Sequence, residues 1–66
     1  MKLGARIKQL RKERGLTQEQ LADAVNVHWR TISNLERNKA HPRSDLLARL
    51  ARLFGTTIDN LMNGNP

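Results

Sequence analysis

Residues 17–37 of this 66-residue chain read TQEQLADAVNVHWRTISNLER. Thr17 followed three residues later by Gln20 has the capping-box spacing that opens a helix, and Leu16 before the cap can staple to Leu21. Leu21, Ala22 and Val25 then share one helical face. Asn26 follows, and Asn is the non-glycine residue best suited to positive φ, so the chain is expected to turn at Asn26-Val27 after about eight helical residues. A second helix is expected over about Trp29 to Arg37. Ile32 and Leu35 point inward, with Val27 packing from the turn. Arg30, Ser33, Asn34 and Arg37 form an outward stripe, with Trp29 one turn before Ser33. Two short helices joined by so short a turn describe a helix-turn-helix. The second has a thin apolar edge and a wide hydrogen-bonding face, which suits docking onto a polar ligand.

Outward from this centre every long segment reads as helix. Leu3, Ile7 and Leu10 set one face of a first helix from about Leu3 to Arg14, which Gly15 ends in a left-handed conformation. After the loop 38–43, with Asn38 as a helix stop and Pro42 barring propagation, a helix from about Ser44 to Phe54 buries Leu46, Leu47, Leu50 and Phe54 and turns Arg49 and Arg52 outward. Gly55 ends it. Thr57 caps a short fifth helix whose Ile58 and Leu61 are expected to face the core, and residues 63–66 are expected to fray. One Phe, no Tyr and no sustained apolar–polar alternation argue against strands. The expected architecture is a single all-α domain of five helices spanning 1–66.

A chain this short hides only about 60% of its unfolded surface, so its core is small. It has no cysteine to add a disulfide or thiolate metal site. No apolar run nears the roughly 20 residues needed to span a bilayer, and the charged start is unlike a secretory signal; the expected location is the cytoplasm. Twelve Lys and Arg against six Asp and Glu give a net charge of +6. The basic groups are clustered: six lie in residues 2–14 against Glu13 alone, and Arg30, Arg37, Lys39 and Arg43 oppose only Glu36 in 28–43. Residues 15–27 carry only Glu19 and Asp23. Such patches point to a polyanion partner, whereas the bland reading is charge for solubility.

The stretch QEQLADAVNVHWRTISNLERNK resembles the helix-turn-helix of phage-repressor-like, Cro/Xre-type regulators, through Gln18, Leu21-Ala22, Val27, Ile32 and Glu36. ARIKQLRKERGLTQ resembles that family's first helix, and LLARLARLFGTTIDNLM its last two, so the likeness covers nearly the whole chain. It implies a lambda-repressor-like fold and a sequence-specific regulator of transcription, a repressor that binds double-stranded DNA as a homodimer on a near-palindromic operator. It also implies Gln18 on the phosphate backbone, and His28, Trp29, Arg30 and Asn34 nearest the base edges. Thr17, Thr31, Ser33, Arg37, Asn38, Lys39 and Arg43 complete the expected backbone contacts. Arg11 and Glu36 are implied to meet as a partly buried ion pair between the first and third helices; the bland alternative is two unrelated surface charges. Three positions depart from the family pattern. Asn26 replaces a glycine. His28 replaces a Ser or Thr cap and is a poorer cap, left free for DNA. Arg43 replaces a small cap before the fourth helix, so Ser44 is expected to cap one residue later.

Ala22 has a steric reason of its own: where two helices cross closely, a larger side chain pushes them apart. Trp29 reads either as a core residue or as a DNA contact, and the filled inward positions Ile32 and Leu35 favour the latter. His28 and His41 lie 13 residues apart with no metal-ligand spacing around them, and no nucleophile or paired carboxylates suggest an enzyme. No cofactor or small-molecule ligand is implied. Two other readings remain: a protein-interaction module such as an antitoxin, which usually carries a further binding segment, and non-specific packaging, which needs charge but not a mixed Thr, Ser and Asn face.

Overall fold

The computed structural model describes residues 3–63. Five helices follow in order: α1 (Leu3–Glu13), α2 (Gln18–Ala24), α3 (Trp29–Glu36), α4 (Ser44–Leu53) and α5 (Ile58–Asn63). Residues 64–66 of the tail expected to fray lie outside the described range, and Asn63 belongs to α5.

Helices α1 to α4 all stop in the same way. Gly15, Asn26, Asn38 and Gly55 have φ of 68°, 61°, 59° and 67°. In each case the next residue donates its N–H back five positions: Leu16 to Arg11 O, Val27 to Ala22 O, Lys39 to Asn34 O and Thr56 to Ala51 O, at 2.8–3.1 Å. This is the Schellman arrangement, which satisfies carbonyls that a helix end would leave unpaired. The starts are equally local. Thr17 Oγ1 accepts from Gln20 N at 3.0 Å while Gln20 Oε1 accepts from Thr17 N at 2.9 Å, closing the capping box. Thr57 Oγ1 accepts from Asn60 N at 3.0 Å and starts α5.

The core is one cluster drawn from all five helices: Ile7, Leu21, Ala22, Val25, Ile32, Leu35, Leu46, Leu47, Leu50, Ala51, Phe54 and Leu61, with Leu3, Leu10, Leu16, Val27 and Leu53 packed around it. Helix α2 packs on α3, α1 packs on α3 and α5, and α4 on α5. Ala22 is almost fully buried where α2 meets α3.

Several details differ from the reading of the sequence. Arg14, Arg37 and Phe54 follow the last residues of α1, α3 and α4, each in the turn before a left-handed residue. Ser44 does not cap α4: Arg43 holds the cap position with extended backbone and no side-chain cap bond, and its carbonyl accepts from Leu47 N at 2.8 Å. Arg49 is not merely a solvated charge. Its guanidinium donates to Val25 O and to Asp45 Oδ2, both at 2.8 Å, tying α4 to the end of α2. Ile58 does not face the core. It is 42% exposed, because in so short a helix Leu61 alone takes the inward position.

Gly4 was not singled out in the sequence, yet it marks the closest approach in the fold. A Cβ there would lie 2.5 Å from Leu35 O and 2.7 Å from Glu36 O, both backbone atoms at the end of α3. Its N–H donates to Asn38 Oδ1 at 3.2 Å. In an open helix, Gly→Ala stabilises by up to about 1 kcal/mol. Here backbone oxygens must move, so Gly4→Ala is expected to destabilise by about 1–3 kcal/mol. The measurement is the urea midpoint, with an unchanged slope; a midpoint that rises would show that α1 does not sit this close to α3.

Candidate nucleic-acid interface

The site is organised around α3, and the start of that helix is its first unusual feature. His28 caps it: Nδ1 accepts from Arg30 N at 3.1 Å. The imidazole is therefore not wholly free, as the sequence suggested, but committed on one nitrogen. In the neutral ring that makes Nε2 the donor. Trp29 is 42% exposed, so it is not a core residue. Its ring centroid lies 5.6 Å from that of His28 at 34°, and Arg30 Cζ lies 5.5 Å from the indole centroid. Beyond this group, Arg30 and Arg37 are exposed, while Thr31, Ser33 and Asn34 are half-buried. The outward stripe thus has charged ends and a recessed polar middle.

A buried ion pair holds this helix in place. Arg11 Nε donates to Glu36 Oε2 at 2.6 Å and Arg11 Nη2 to Glu36 Oε1 at 3.1 Å. The two side chains are only 10% and 3% exposed. Arg11 Nη1 also donates to Leu16 O at 2.8 Å, and Gln18 Nε2 donates to Glu36 Oε1 at 3.1 Å. Each carboxylate oxygen is thus bonded, as a buried charge requires.

The expected contact residues off the outward stripe and the start of α3 fall into three groups. On one side, Thr17 and Gln18 share a cleft with Trp29, Arg11 and Glu19. On another, Thr31 and Arg43 line a depression between α3 and α4 together with Asn26 and His41. At the end of the helix Asn38 and Lys39 lie beside Leu3, Leu35 and His41. Three of these residues also hold the fold. Thr17 caps α2, Gln18 bonds Glu36, and Asn38 receives the N–H of Gly4. Each retains donor capacity, since a hydroxyl keeps its proton and an amide NH₂ its hydrogens. The contribution of Gly4 was missed, although a glycine inside a helical pattern is itself a signal of close backbone approach. The bond from Arg49 to Val25 O had no local signal.

Five short helices, with an exposed polar and basic third helix held to the first by a buried ion pair and to the second by the Gln18–Glu36 hydrogen bond, define a helix-turn-helix protein. Residues 7–61 match the helix-turn-helix family, and the chain belongs to it. The chain is 38% identical over 64 residues to the HTH-type transcriptional regulator DdrOP3 of Deinococcus deserti, covering 97% of this chain and 50% of that protein. It is 36% identical over 62 residues to the immunity repressor protein of Bacillus phage phi105, covering 94% of this chain and 43% of that one. Among solved structures, the P22 c2 repressor in complex with a synthetic operator superposes with a TM-score of 0.93 at 29% identity, covering 98% of each chain. The chain spans half or less of the length of these two curated relatives.

Removing one partner of the buried pair leaves the other charge uncompensated. Arg11→Ala and Glu36→Ala are each expected to destabilise by about 3–4 kcal/mol, and the double variant by clearly less than their sum. A double-mutant cycle in chemical denaturation reads this. Small, additive losses would mean the two groups do not meet in solution.

Proposed function

We propose that this chain is the DNA-binding unit of a transcriptional regulator, a repressor that acts by occupying its operator as a homodimer. Helix α3 enters the major groove. Arg30 and Asn34 read base edges, Arg being matched to guanine and Asn to adenine, with His28 and Trp29 beside them. Thr17, Gln18, Thr31, Ser33, Arg37, Asn38, Lys39 and Arg43 engage the sugar–phosphate backbone, which sets register and orientation but carries no sequence information. The observation that carries this reading is the polar stripe of α3, solvent-facing at Arg30 and Arg37, on a helix held rigidly by the Arg11–Glu36 pair. The net charge of +6 and the operator-bound P22 c2 repressor support it. The function is binding, and no reaction enters the reading.

Two-fold pairing is supported by α5, where Ile58 and Met62 are 42% and 38% exposed. Four residues apart, they form one apolar ridge. A single reading helix covers few base pairs, so a pair of them doubles the sequence read. Among the described residues no helix is long and apolar enough to cross a membrane, and we place the protein in the cytoplasm on DNA.

The test is selection of bound duplexes from a random pool, followed by affinity measurements. The selected sites are expected to be near-palindromes with half-site centres about 34–36 Å apart. Asn34→Ala should cost about 1–3 kcal/mol on the selected site and little on random duplex. Lys39→Ala should weaken both alike and reduce the magnitude of the salt slope by about one. A protein that loses affinity only with charge would be a packaging protein, and one with no preferred duplex a protein-interaction module; either result overturns the proposal.

A further inference from the structure

The start of α3 carries a stack of three consecutive side chains. The His28 imidazole lies 5.6 Å from the Trp29 indole, and the Arg30 guanidinium lies over the same indole at 5.5 Å. The stack is tied to the backbone, because His28 Nδ1 accepts the N–H of Arg30 itself. The cation over the indole is Arg30. Core packing does not demand this arrangement: Trp29 is 42% exposed and lies outside the core cluster, while Ile32 and Leu35 fill the inward positions.

A long arginine on an exposed helix start samples many rotamers, yet reading guanine requires its planar fork in one orientation. An aromatic face under the guanidinium restricts that freedom before DNA arrives. We propose that Trp29 and His28 are positioning residues for Arg30. The indole forms a shelf that aims the guanidinium at one base pair, and the capping imidazole steadies the shelf. Trp29 then sets sequence preference through Arg30 rather than by a base contact of its own. The same few atoms start the reading helix and aim one of its readers. This inference rests on the proposed reading of DNA by α3.

Its test uses the duplex selected by the parent protein and its single-base variants. Arg30→Ala is expected to flatten the preference at one base pair of each half-site. Trp29→Leu, which keeps apolar bulk but removes the π face, is expected to reduce preference at that same base pair about two- to five-fold, the size of an exposed cation–π contact. Other positions should be unchanged, and Trp29→Phe should restore most of the loss. In the Arg30→Ala background, Trp29→Leu should remove nothing further. His28→Ser keeps a capping side chain and discards the ring, so its unfolding midpoint should stay near the parent's while preference at the same base pair falls. Additive losses for Trp29→Leu and Arg30→Ala, or an equal loss at every position, would overturn the stack's role while leaving α3 as the reader. Full preference in His28→Ser would overturn the part given to His28. An Arg30→Ala protein that still selects the parent sequence would overturn the assignment of Arg30 as a reader, and the stack with it.

Discussion

The rest of the structure depends on how the Glu36 carboxylate is neutralised. It is buried at the end of α3, and a buried carboxylate is tolerated only with a charge partner and full hydrogen bonding. Arg11 from α1 supplies a two-pronged guanidinium and Gln18 from the start of α2 supplies an amide N–H. Three helices therefore meet at one charged point. Apolar burial is non-directional, and a core of a dozen side chains tolerates small rotations of one helix on another. Charge-assisted hydrogen bonds have narrow geometry. A third bond from Arg11, to Leu16 O, fixes the loop between α1 and α2 as well. The value of this cluster to the domain lies in orientation: it sets the bearing of α3 against α2, the relation a helix-turn-helix needs.

Around that point the polar residues at helix ends serve twice. Thr17, Gln18, His28 and Asn38 each commit one hydrogen-bonding atom to the fold. Each keeps a donor hydrogen that the fold does not use. A donor whose side chain is already immobilised loses less entropy when it meets a phosphate. The surface that the proposed function needs is thus built from groups that folding has already ordered. The exceptions are Arg37, Lys39 and Arg43, exposed and long, from which the proposed function draws charge rather than geometry.

Much of this was legible in the sequence because its physics is short-range. Capping boxes, left-handed stops and 3.6-residue periodicity involve residues within a few positions of each other. The T-x-x-Q start of α2, the stops at Gly15, Asn26, Asn38 and Gly55, and the inward positions of Ile7, Leu21, Ile32, Leu50 and Leu61 accordingly appear in the structure. The outward stripe of α3 was legible for the same reason. Arg11 and Glu36 were named together only through resemblance to a family, since no local pattern links residues 25 apart.

What tertiary structure alone decided involves residues far apart in the chain or competition for a place in the core. Gly4 is required by two carbonyls more than thirty residues away. Asn38 ends α3 by its backbone, but only the approach of α1 gives its side chain a partner. Ile58 had the right residue type for burial and lost its place to Leu61, because a six-residue helix offers the core little more than one position. Arg49 became a tie between α4 and α2 only once Val25 O lay within its reach. Even the stack on Trp29, although its members are adjacent in sequence, required the backbone geometry of a helix start to bring ring, cap and cation together. The sequence by itself determined which elements form and which faces they bury, since those follow from neighbours along the chain. How the elements lock together, and which polar groups remain for a ligand, was settled by contacts that exist only after folding.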